Sequence, residues 1–451
     1  MRSLFVFFSG ILLCLTAPAP QGFAQQSVTP ATALQAYLSN GDESFQWQVR
    51  DSFQIDNVKG YNLLVTSQKW RQYMWRHQLI VLVPAEVAHE GALLFITGGS
   101  NKDEQPNWKK NDDGLIKPLA QIATQNKAIT TILRQTPNQP LYGDLTEDQL
   151  ISYTLHQFKK DGDYTWPLLF PMVKSAVRSM DAVQEFSKKI VQKPISTFVV
   201  AGASKRGWTT WLTGANDPRV TAIGPMVIDV LNMPVSLNYQ LEVWNDYSVQ
   251  IEDYVKLGIP QGAETESGKA INTMIDPYSY RKALTMPKMI FIGTNDEYWP
   301  VDAIKHYYDD IPGKNMIHYV PNAGHDLGGG EQAFRALGAF WATTLQKQPY
   351  PTNSWTLKKQ KDGVLVKIKS TPDQLIDAIV WSATSEDRDF RNETFTSQSL
   401  GVKATTYVET LQKLPTSGYK AFYIDLKYKS LIGTEYTVST RVFVANSSGV
   451  L

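Results

Sequence analysis

The stretch Val199–Trp208, VVAGASKRGW, decides how the rest of the chain is read. An apolar, β-branched run ends at Gly202, Ser204 follows, and Gly207 lies at the start of a segment with helical composition. A serine hydroxyl is a poor nucleophile until a base takes its proton and N–H groups receive the oxyanion. A sharp strand-to-helix corner meets part of that need, because it lifts the side chain above the sheet edge and aims free N–H groups at it. Glycines at 202 and 207 let backbone pass close by such a corner. The spacing Gly-x-Ser-x-x-Gly departs from the commoner Gly-x-Ser-x-Gly, with Arg206 in place of the second glycine. Taken alone, the corner also fits a plain tight turn.

Working outward, short apolar runs alternate with amphipathic segments from about Gly91 to Gln346. The runs 91–99, 128–134, 195–202, 219–227, 287–294 and 315–321 lack polar alternation, as strands do when helices cover both faces of a parallel sheet. Helix candidates lie between them: DGLIKPLAQIATQN, FPMVKSAVRSMDAVQEFSKKI and EQAFRALGAFWATTLQKQ. In the second, Val173, Ala176, Val177, Met180, Val183 and Phe186 recur at helical spacing on one face. The pattern predicts a doubly wound, mostly parallel α/β sheet. YNLLVTSQKW and HQLIVLVPAE extend it upstream as antiparallel strands.

Residues 229–286 interrupt this rhythm with Tyr, Trp, Asn and Met, and read as a mostly helical insertion placed to cover a cleft. Their many polar letters (NDYSVQIEDY) argue against a lipase lid. Beyond Pro351 the helical period gives way to alternation and frequent turns, the mark of a small antiparallel β-sandwich over 351–451. That domain either braces the rest or binds a partner, and bracing is the simpler expectation.

The order Ser, acid, His along the chain is the one this architecture uses for a catalytic triad. MIFIGTNDEYWP puts Asp296 at the end of one later strand, and IHYVPNAGHDLGGG puts His325 just past the next. Both fall at the carboxyl edge, where open α/β sheets carry their sites. His325 is then the base, and Asp296 holds its tautomer and stabilises the imidazolium. Asp229, Glu297 and Asp302 are weaker alternatives for the acid. The oxyanion is assigned to the backbone N–H groups of Lys205 and of Gly99, in the TGGS loop. Arg206 and Trp299 are candidate substrate contacts, although Lys205 and Arg206 equally fit pairing with nearby acids. Trp166 and Trp244 are further candidates for lining a cleft, whereas Trp208, Trp211 and His318 read as core.

GASKRGWTTWLTGANDPRV, FIGTNDEYWP and NAGHDL together resemble the PhoPQ-activated pathogenicity-related proteins, a bacterial branch of the α/β-hydrolases. The likeness covers most of the chain. It implies an α/β-hydrolase fold, export and an association with envelope stress, but no known substrate. The elbow alone is also similar to that of glucuronoyl and related carbohydrate esterases.

Lys and Arg total 44 against 43 Asp and Glu, which leaves no basic field for nucleic acid. Arg2, the apolar run Leu4–Leu15 and small residues at 22 and 24 predict a cleaved signal peptide over 1–24. The run is shorter than the ~20 residues a membrane span needs, so no transmembrane segment is expected after its removal. Cys14 is the only cysteine. The six histidines show no ligand spacing, and neither metal nor cofactor is expected. The sequence therefore predicts a periplasmic or secreted serine hydrolase acting on a small-molecule, glycan-ester or peptide substrate. The alternative is an inactive binding protein on the same fold.

Overall fold

The computed structural model describes residues 27–451. The signal-peptide assignment, with Cys14, lies outside the described residues. After α1 (Ala33–Leu38), strands β1 (Gln46–Ile55), β2 (Val58–Trp70) and β3 (Tyr73–Pro84) form an antiparallel meander. The chain continues through β4 (Gly91–Ile96), a small hairpin of β5 (Asn101–Lys102) and β6 (Gln105–Pro106), α2 (Ile116–Asn126) and β7 (Thr130–Leu133). Two helices, α3 (Glu147–Asp161) and α4 (Leu169–Phe186), lead to β8 (Thr197–Ala203), and α5 (Lys205–Asn216) leads to β9 (Val220–Met226). Helices α6 (Met233–Trp244), α7 (Glu252–Lys256) and α8 (Glu266–Ile275) precede β10 (Lys288–Gly293), β11 (Asn315–Val320) and α9 (Glu331–Leu345).

The sheet runs β1-β2-β3-β7-β4-β8-β9-β10-β11, parallel from β7 onward. This is the α/β-hydrolase order. Its parallel strands fall within a residue of the runs read from sequence, because those runs are apolar on both faces, whereas β2 and β3 start a few residues before theirs and the mostly exposed β1 was not read at all. In β8, Phe198 and Val200 enter one core while Val199 and Ala201 enter the other. Helices α4 and α5 cover the first face, α2 and α9 the second. In α4, Val173, Ala176, Met180, Val183 and Phe186 are fully buried, as the helical period requires. After β4 the sheet grows toward β7 on one side and β8 on the other, which opens a crevice at the carboxyl edge.

Beyond α9, β12 (Asn353–Gln360), β13 (Gly363–Ser370) and β16 (Tyr407–Gln412) form a three-stranded antiparallel sheet. β14 (Leu375–Ser385), β15 (Thr396–Ser399), β17 (Tyr419–Lys429), β18 (Glu435–Ser439), β19 (Phe443–Asn446) and β20 (Gly449–Val450) form the facing layer. Val366, Ile368 and Val408 of the first pack with Phe422, Ile424 and Leu426 of the second. The second layer is not closed on itself. β18 pairs antiparallel with β11 at Ile317–Ser439, so it continues the central sheet. His318 is core at this junction, its Nδ1 within 3.0 Å of Thr437 Oγ1, and burial pushes the imidazole down to about 4.

Candidate active site

Ser204 sits between β8 and α5 with φ 58° and ψ −125°. A non-glycine residue in that conformation carries strain of roughly 1–3 kcal/mol, so its surroundings must hold it there. Its N–H donates to Met226 O on β9 at 2.8 Å. A Cβ at Gly202 would lie 2.9 Å from Ile96 O and from Arg206 O, and one at Gly207 would lie 2.7 Å from Met226 O. Both glycines are thus required by the close approach of backbone.

The two cations after the serine turn toward α3. Lys205 Nζ donates to Asp148 Oδ2 at 2.7 Å. Arg206 donates to both oxygens of Glu147, at 2.8 and 2.6 Å, and through Nε to Thr136 O. Burial pushes the Glu147 carboxyl up, but Arg206, Gln139 and Lys205 outweigh it and hold the group at about 2. Arg206, read as a substrate contact, is placed instead as the tie between elbow and α3. A Cβ at Gly98 would lie 2.5 Å from its Nη2.

Asp296 and His325 follow β10 and β11. His325 Nδ1 lies 3.0 Å from each Asp296 carboxyl oxygen. Asp296 also accepts the Tyr298 N–H at 2.9 Å, and burial raises its pKa, a rise that His325 and that hydrogen bond reduce. The other face of the imidazole is held by Tyr298, stacked at a centroid distance of 4.0 Å and 26°. Glu297 accepts the His325 N–H at 3.1 Å. His325 Nε2 is buried and, among the described residues, has no hydrogen-bond partner, Ser204 Oγ included. Asp229 is also buried, but it accepts from Tyr307 at 2.6 Å, and burial followed by the charges of Asp296 and Asp302 pushes it up to about 8. Asp302 accepts from Tyr239 and Lys305.

Ser204 and Tyr298 open onto one pocket, of about 80 Å³. Its walls are mainly apolar, with Trp208 of α5, Met233 and Leu237 of α6, Ile271 of α8 and Trp299, while Asp148, Lys205 and Asn272 supply polar edges. The insertion does line this pocket, mostly with apolar residues, although Tyr254 and Asn272 also face it. Val249, in contrast, is 77% exposed on the outer side. Trp299 is 7% exposed here, while Trp244 lies under Arg391 at 4.0 Å and Trp166 under Arg71 at 3.3 Å, neither on the pocket wall. Trp208, read as core, is also pocket wall, its Nε1 donating to Ile275 O at 2.6 Å.

The Lys205 and Gly99 N–H groups donate to no acceptor among the described residues. Gly98 and Gly99 line a second, more polar cleft with Lys109, Asp113, Arg134 and Gly329. Sequence reading missed Glu147, Asp148, Tyr298 and two asparagines, Asn295 and Asn322. The asparagines had a signal: each lies in the same short motif as Asp296 or His325. Among the described residues there is no cluster of metal-ligating side chains, and no helix is long and apolar enough to cross a membrane.

A family model described as PhoPQ-activated pathogenicity-related protein matches residues 34–391. The chain belongs to the PhoPQ-activated pathogenicity-related family. The region matched to that family holds the elbow, the covering helices and both loops that carry Asp296 and His325. The chain is 31% identical to autocrine proliferation repressor protein A of Dictyostelium discoideum, over 90% of this chain and 89% of that one. Among solved structures it is similar to acetyl xylan esterase 1 from Thermoanaerobacterium sp. JW/SL YS485, with 16% identity and a TM-score of 0.49 over 70% of this chain and 94% of that one. A glucuronoyl esterase from Solibacter usitatus matches at 11% identity and a TM-score of 0.41, over 70% and 91%.

Proposed function

We propose that this protein is a serine hydrolase that cleaves an ester or amide through an acyl-enzyme on Ser204. The observation that carries the reading is the His325 ring. Its Nδ1 is fixed on both oxygens of Asp296 at 3.0 Å, and its Nε2 is buried with no partner among the described residues. A nitrogen so placed has a lone pair for the serine proton once substrate excludes water. Ser204 Oγ bonds to the acyl carbon as its proton passes to Nε2, and the oxyanion is received by the Lys205 and Gly99 N–H groups. Nε2 then gives that proton to the departing group, and water repeats the sequence to free the acid.

The pocket beside Ser204 suits a compact apolar acyl group, with Trp299 as one wall. The cleft past Gly99 offers both donors and acceptors, which suits a hydroxyl-rich leaving group, so a glycan ester is the favoured substrate class. Action in the periplasm or outside the cell follows from the N-terminal signal pattern, and a role in envelope stress from the family resemblance.

The test is intact-mass analysis of the mature protein and Ser204→Ala after treatment with a fluorophosphonate. One adduct on the wild type and none on the variant is the expected result. No adduct on the folded wild type would reject the reading in favour of a binding protein, and equal labelling of both would reject Ser204.

A further inference from the structure

The chain between β14 and β15, residues 386–395, leaves the C-terminal sheets and lies against the loops that follow β10 and β11. Phe390 and Phe395 anchor it, each 2% exposed. Asn295 Nδ2, next to Asp296, faces three carbonyl oxygens of this segment: Phe390 at 3.2 Å, Arg391 at 3.1 Å and Glu393 at 2.7 Å. Asn322, shortly before His325, makes a two-way pair with Phe395: Oδ1 accepts the Phe395 N–H at 2.7 Å and Nδ2 donates to its carbonyl at 2.9 Å. Thr294 joins the two loops, because its hydroxyl donates to Asn295 Oδ1 at 2.7 Å and accepts the Asn322 N–H at 2.8 Å. The Asn295 N–H donates to Ala323 O at 3.0 Å.

Loops at the carboxyl edge of an α/β sheet are ordinarily surface segments with freedom to shift. Catalysis tolerates little of that freedom, since a shift of about 1 Å can lower a rate roughly 100-fold. A side-chain amide that saturates backbone groups of a distant segment removes it. We propose that Asn295 and Asn322 are positioning residues, through which segment 386–395 of the C-terminal domain fixes the Asp296–His325 pair. Neither touches the reacting atoms. The proposal rests on the hydrolase reading only for its consequence on rate. The geometry it describes is measurable without turnover.

The test uses the full mature chain with Asn322→Gly, which accepts the φ of 56° at this position and so removes the clamp without adding backbone strain. Asn322→Asp keeps the acceptor for the Phe395 N–H and loses the donor. Two readouts are followed beside the thermal midpoint: the low-field proton resonance of His325 Nδ1–H, assigned by its loss in His325→Ala, and the pH profile of fluorophosphonate labelling. Asn322→Gly is expected to lose the resonance to exchange and to label about 10- to 100-fold more slowly. Asn322→Asp is expected to fall between it and the wild type, and it decides the matter if the glycine variant does not fold. Wild-type resonance and labelling in the folded variants would overturn the proposal. A wild type that does not label, but whose resonance disappears in the variants, would sink the hydrolase reading and leave the positioning role standing. A resonance unchanged in the variants of an unlabelled protein would sink both.

Discussion

Ser204 is held by residues within a few positions of it and by the strands on either side. Asp296 and His325, at the same sheet edge, are held from a distance. Gly202 and Gly207 make the serine corner fit against Ile96 and Met226. The loop of Asp296, by contrast, is tied through Asn295 to residues 95 to 98 positions downstream, and that of His325 through Asn322 to one 73 positions downstream. The corner is specified by close backbone packing on the strands that flank β8, a steric rule local in space although Ile96 is distant in sequence. A pair of loops on separate strands has no such local rule, and its geometry is delegated to another part of the chain.

That contrast can be broken first at the corner. Gly207→Ala puts a Cβ 2.7 Å from Met226 O, the same carbonyl that accepts the Ser204 N–H. It is expected to cost about 3 kcal/mol in denaturant unfolding, at the upper end of overpacking effects, and to abolish serine labelling. A neutral outcome would mean that the corner is not set by close packing. Next, Arg206→Met leaves Glu147 without its main partner. The Glu147 side chain keeps 37% of its surface in water, so the expected loss is about 2 kcal/mol, below the roughly 3–5 kcal/mol of a fully buried pair. Labelling of Ser204 should stay within about threefold if Arg206 only supports the elbow. Loss of labelling in a protein of near wild-type stability would return Arg206 to the substrate.

A third effect lies behind the acid loop, and it is read as a slope with pH rather than as a fixed loss. The folded protein keeps Asp229 protonated up to about 8, whereas the unfolded chain ionises it near 4. The unfolded state therefore releases this proton first, and wild-type stability falls as pH rises from about 4 to about 8, by roughly 1.4 kcal/mol per pH unit from this group. In Asp229→Asn that slope is absent, so the variant should gain on the wild type as pH rises through this window. Parallel stability curves for the two proteins would show that Asp229 is ionised in the fold.

The parts of the architecture visible in sequence were those set by periodicity and by order along the chain. Both faces of β4, β8 and β10 are covered, so their letters are apolar apart from Thr197 and Lys288 at their starts, and the residues after β8, β10 and β11 could be placed at one edge from their order. The cover over the pocket was harder to read. Met233, Leu237 and Ile271 turn inward while Val249 faces water, and α6 and the five-residue α7 carry no sustained period to separate the two sides, although α8 does, with Ile271, Met274 and Ile275 buried on one face. Arg206 was ambiguous because its partner, Glu147, belongs to a helix whose place above the elbow depends on tertiary packing. The C-terminal strands showed alternation, yet nothing in β18 announces that it pairs with β11 as well as with its neighbour β17.

That junction has a bearing on how the chain comes together. An open strand at the side of a sheet is a template for other chains, and β11 would be one if β18 did not cover it. β18 spans Glu435–Ser439, more than a hundred residues after β11. Until those residues arrive, the parallel sheet, complete in every other strand, presents a raw flank. The protein thus carries its own guard against self-association, delivered only after the parallel sheet has been made, and a chain ending before Glu435 is expected to aggregate though it contains every proposed catalytic residue.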